Sequence, residues 1–107
     1  MAEKSALEYV SDALDLQAAR KFHEAAELYK KAAELDEHFV EAHLGLGKVY
    51  EIMGALDEAI AVLRKAAELN PTEPLIHTSL SQCLQKQGKI PEAEDEMAIA
   101  MQLQRRW

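Results

Sequence analysis

A thirteen-residue phrase is spelled twice, thirty-four residues apart: Glu24-Ala25-Ala26-Glu27-Leu28-Tyr29-Lys30-Lys31-Ala32-Ala33-Glu34-Leu35-Asp36, then Glu58-Ala59-Ile60-Ala61-Val62-Leu63-Arg64-Lys65-Ala66-Ala67-Glu68-Leu69-Asn70. A diverged third copy runs from Glu92-Ala93 to Leu103. A period of this length describes a stack of small alike units rather than one globule folded around a buried active site. The composition agrees, with abundant Ala, Leu, Glu and Lys and few aromatics, which favours helices. At 107 residues the chain has room for one modest domain.

Aligning the copies gives each column a physical task. Ala25, Ala59 and Ala93 open the second helix of each unit, where a small side chain lets two helices approach closely. Phe22, Leu56 and Ile90 stand just before that helix and plug the turn. Tyr29, Leu63 and Met97 follow one turn later, then Ala32, Ala66 and Ala100 on the same face. Upstream, Ala13, Gly47 and Ser81 are all small, and Leu16, Tyr50 and Leu84 supply bulk beside them. Gly54 and Gly88 end first helices in the manner of a left-handed cap, whereas Arg20 takes that column in the first copy. Pro71 closes the second unit.

These columns resemble the tetratricopeptide repeat, a helix–turn–helix unit that stacks into a superhelix. The resemblance covers units 6–39, 40–73 and 74–107, read together as a single domain over 1–107. It implies an all-α fold, an α-α superhelix of six antiparallel helices at roughly 5–18, 22–35, 39–53, 56–69, 74–87 and 91–105. The outer copies depart from the pattern. Asp12 occupies the column of Leu46 and Leu80, and Tyr9, His43 and His77 stand where the family often has tryptophan.

The resemblance also implies where a partner docks, since the first helices of successive units line the family's concave face. Here that face is expected to present Leu7, Val10, Ser11 and Leu14, then Glu41, Leu44, Gly45 and Lys48, then Leu75, Thr78, Ser79 and Gln82, with Glu51 at its border. Some family members grip acidic C-terminal tails with a clamp of Lys, Asn, Asn, Lys and Arg. Those columns carry Val10, Leu14, Gly45, Leu75 and Ser79, so no clamp residue is present. What remains is an apolar strip of Leu7, Val10, Leu14 and Leu44 bordered by Glu41, Lys48 and Glu51, suited to a peptide or an amphipathic helix. Rotation of the first helix to turn Asp12 outward would instead make Val10 and Leu14 core residues.

A solenoid must also cap its last unit. The chain stops at Trp107, leaving no residues for a further helix. Glu94 replaces Ala26 and Ile60 where a next unit would pack, yet Ile99, Met101, Leu103 and Trp107 stay apolar. The alternative function is therefore a structural or assembly protein that self-associates through this C-terminal helix, giving a homo-oligomer.

The remaining chemistry is sparse. A net charge of −7, divided −4, −3 and 0 over the three units, opposes nucleic-acid binding. One cysteine, Cys83, excludes an internal disulfide, and neither a signal-peptide core nor a membrane-length apolar run occurs, so a cytoplasmic protein is expected. His43 and His77 share a column, but no third or fourth ligand accompanies them, so no metal is expected. Cys83 reads as a half-buried small hydrophobe, and Glu92, Glu94, Asp95 and Glu96 as a hydrated run at a helix N-terminus. No P-loop, dinucleotide turn or nucleophile elbow occurs, so neither an enzyme nor a cofactor is expected.

Overall fold

The computed structural model describes residues 4–105, which form six helices and no strand. They are α1 (Ala6–Ala18), α2 (Phe22–Leu35), α3 (Val40–Ile52), α4 (Leu56–Leu69), α5 (Pro74–Lys86) and α6 (Ile90–Gln104). Each boundary lies within one residue of the sequence-based expectation.

The boundaries follow from local chemistry. Ser5 and Glu8 form a reciprocal capping box at the start of α1, each side chain accepting the other residue's backbone N–H at 3.1 and 3.0 Å. Glu73 caps α5 by accepting the Leu75 N–H at 3.2 Å, and Pro74 fills the first turn, where no backbone donor is needed. The first helices of all three units stop alike. The backbone turns left-handed at Arg20, Gly54 and Gly88, with φ of 63°, 80° and 80°. The next N–H then reaches back to Leu16, Tyr50 or Leu84, at 2.8, 2.8 and 2.9 Å.

Packing is between neighbours. Within units, α1 pairs with α2, α3 with α4 and α5 with α6; between units, α2 meets α3 and α4 meets α5. First helices also touch across units, α1 with α3 and α3 with α5, whereas the backbones of α2 and α4 stay apart, as do those of α4 and α6. One core cluster joins Ala25, Ala26, Tyr29 and Ala32 to Ala42, Leu46 and Val49. The second joins Ala59, Leu63 and Ala66 to Ile76, Leu80 and Cys83. Full burial of a side chain the size of Leu63 or Ile76 contributes roughly 1.5–3 kcal/mol.

The small-residue columns do what their positions require. A Cβ on Gly47 would lie 2.9 Å from Leu63 Cγ, and one on Gly45 would collide with the ring of Tyr29. That ring is buried, and its hydroxyl donates to Gln17 Oε1 at 2.7 Å. Burial raises the Tyr29 pKa above its ordinary value, because the phenolate would be desolvated. No helix among the described residues is long and apolar enough to cross a membrane.

Candidate functional site

The first helices carry the residues expected to face a partner, and their burial sorts them. Leu7, Leu14 and Leu75 are exposed on α1 and α5, at 66%, 53% and 52%. Ser11, Glu41, Lys48 and Gln82 are also exposed; Thr78 and Ser79 are half-buried. Thr78 turns its hydroxyl inward, donating to the Pro74 carbonyl at 3.2 Å.

Four placements depart from the expected strip. Val10 is buried in the first core cluster, because α1 points it towards α2 and α3 while Leu14 stays outside. Leu44 is half-buried against the second cluster. Gly45 offers no open floor, since Tyr29 fills the space above it. Glu51 lies under the surface, its side chain only 5% exposed.

Around α1 the apolar exposure therefore gathers in two places instead of one strip. Leu14 lines a depression of about 390 Å³ with Gln17, Ala18, Arg20, Phe22 and Ile52. Leu7 lines another of about 600 Å³ that includes Leu35 and Phe39. Ile52, 44% exposed at the end of α3, was absent from the expected site. Its signal was its place one turn beyond Lys48 on the same helical face.

Lys48 and Lys86 flank the buried carboxylate. Lys86 Nζ lies 2.8 Å from Glu51 Oε2 and Lys48 Nζ 3.5 Å from Oε1, and both ammonium side chains remain more than half exposed. One buried negative charge thus holds two positive groups at the surface where α3 crosses α5, leaving that patch net positive. Cys83 lies beneath it, almost fully buried. Its thiol pKa is raised, first by desolvation and then by the Glu51 charge, so it has no character of a reactive thiolate.

The histidines are engaged structurally. His43 Nε2 is 2.6 Å from the Glu37 carbonyl oxygen, and His77 Nδ1 is 2.8 Å from Glu96 Oε1. Glu96 is therefore a packed partner of α5 instead of a hydrated member of the acidic run, and its other oxygen lies 3.9 Å from Arg64 of α4. Among the described residues, no group of three or more His, Cys, Asp or Glu is arranged to hold a metal ion.

A third concavity, about 480 Å³, opens between α2 and α4 over His43 and Leu46. Ala33, Ala61, Val62 and Leu69 make its walls. In the next junction the column of Val62 carries Glu96, whose contacts with His77 and Arg64 tie α6 to α5 and α4.

Of the residues expected to self-associate, Ile99 and Met101 are exposed and Leu103 is half-buried. Trp107 lies outside the described residues.

Comparison with known proteins places this geometry. Tetratricopeptide repeat family models match residues 12–74 and 52–105. An uncharacterized TPR repeat-containing protein of Arabidopsis thaliana is 32% identical over 66 residues, which is 62% of this chain but 8% of that protein. Low calcium response locus protein H of Yersinia pestis is 29% identical over 83 residues, 78% of this chain and 49% of that protein. The chain thus spans half or less of the length of these relatives. The Yersinia enterocolitica type III secretion chaperone SycD, solved in complex with a peptide of the translocator YopD, superposes with a TM-score of 0.83. It is 27% identical, over 89% of this chain and 72% of that one.

Proposed function

Because this chain belongs to the tetratricopeptide repeat family, we propose that it is a protein–protein interaction module whose concave face receives an amphipathic helix or peptide. On this reading the units 6–39, 40–73 and 74–107 work as one domain, cytoplasmic and without catalysis. The observation that carries it is the pairing of Leu14 and Ile52 around one depression, from first helices of adjacent units, with Lys48 one turn from Ile52. Exposed apolar side chains contributed by two helices make a binding surface that neither helix presents alone.

The chemistry defines the partner. Apolar residues one helical turn apart fit Leu14, Ile52 and Phe22, and a carboxylate beyond them fits Lys48 and Lys86. With no clamp of Lys, Asn and Arg in the five first-helix columns, affinity comes from apolar burial, and the positive pair sets orientation. The YopD peptide held by the similar chaperone SycD supports capture of a peptide on such a frame.

Peptides selected by display on the immobilised protein test the reading. The selected sequences should combine apolar anchors with an acidic residue. Leu14→Lys combined with Ile52→Lys should weaken the tightest of them at least roughly tenfold, since about 1.4 kcal/mol of anchor burial is removed. Both positions are exposed, so helicity by circular dichroism should not change. Unaltered affinity would sink the concave-face assignment.

A further inference from the structure

The two ends of the stack differ in a way that decides how copies of this chain can meet. At both internal junctions a second helix packs on the next first helix through fixed columns. The receiving columns are Ala42, Leu46 and Val49 on α3, and Ile76, Leu80 and Cys83 on α5, all buried. The same columns on α1 are Glu8, Asp12 and Asp15, of which Glu8 and Asp15 are exposed and Asp12 pairs with Lys4 at 2.6 Å. Docking an apolar helix there would take Glu8, Asp12 and Asp15 out of water, at a cost of several kcal/mol per ion. That cost disfavours head-to-tail stacking of α6 onto α1, and with it an open filament.

The donating face at the other end is of a different kind. Ala26, Tyr29 and Ala33 on α2 correspond to Ile60, Leu63 and Ala67 on α4, and to Glu94, Met97 and Met101 on α6. Beside them Ala98 replaces Lys30 and Arg64, so a surface that is basic in two units is small and neutral in the third. No described element covers this face, and Met101 is 47% exposed on it. Glu94, Ala98, Met101 and Arg105 follow one another at spacings of four, three and four, the seam of a two-helix pair.

We infer that this face binds a second copy of itself, α6 against α6 in antiparallel orientation, to form a closed two-fold dimer. A crossing centred between residues 99 and 100 sets Met101 of each copy over Ala98 of the other. The same crossing sets Glu94 of each copy opposite Arg105 of the other. Large meets small and negative meets positive, twice, from one self-complementary stripe. A parallel pairing would oppose Glu94 to Glu94 and Arg105 to Arg105. One helix pair is smaller than the roughly 1,600 Å² of a standard stable interface, so the dimer is weak and concentration-dependent.

Sedimentation equilibrium on the whole chain, over a concentration series reaching the millimolar range, tests the inference. The mass should rise from one copy to two and stop there. Met101→Glu should hold it at one copy with helicity unchanged. Glu94→Arg should weaken the dimer roughly tenfold by turning two attractions into two repulsions, and adding Arg105→Glu should restore it. A monomer throughout the series overturns the inference, as does mass growing past two copies or failure of the double reversal to rescue. None of these variants touches Leu14 or Ile52, so the result is independent of the concave-face reading.

Discussion

At position 20 the first helix ends on an arginine held at φ 63°, in the region that glycine occupies at φ 80° in the other two units. A side chain there costs about 1 kcal/mol, because Cβ crowds the following carbonyl. Space around Gly54 is open, so Gly54→Ala should lose that amount through backbone conformation alone. Arg20→Gly should gain roughly 0.5–1 kcal/mol, reduced by the added freedom of the unfolded chain and the lost stacking of Arg20 over Phe22. Urea denaturation of the two variants checks both signs. These caps were legible in the sequence because a left-handed turn has a small chemical vocabulary. Val10 and Leu14 were not, since both are apolar and only the rotation of α1 assigns one to the core and the other to solvent.

At the scale of the helix, Glu51 joins α3 to α5 through Lys86. Glu51→Ala should destabilise the protein by about 1–2 kcal/mol. The value is below that of a fully buried pair because both lysines can return to water. A double-mutant cycle with Lys86→Ala should show coupling between the two positions; additive losses would mean the contact carries none of the stability. The six helices could be placed from the repeat because small columns, turn residues and prolines all agreed. Glu51 was misplaced at the border of the groove because the partner that draws it inward lies thirty-five residues later, on another helix. Glu96 was read as hydrated for the same reason, its ties to His77 and Arg64 being tertiary. The cleft between α2 and α4 had no sequence signal, for it lies between two helices whose backbones stay apart.

The whole molecule is a row of neighbours, with α3 in contact with α1, α2, α4 and α5, and α6 packed on α5. Stability in such a row is a sum of local junctions and falls towards the ends. Hydrogen exchange should accordingly find the slowest amides in α3 and α4 and earlier opening in α6. Equal protection across all six helices would show a single cooperative unit instead. The one-sided contact between units has a mechanical meaning as well. First helices abut across each junction and second helices reach the next unit only through its first helix, so the stack is closed along one edge and open along the other. Any bending about the closed edge would change the gap between α2 and α4 more than the spacing of α1, α3 and α5. The stack is laid out as a fan is, joined at the pivot and open at the rim. Of its two gaps only the second has an ion pair across it among the described residues, where Glu96 approaches Arg64 at 3.9 Å.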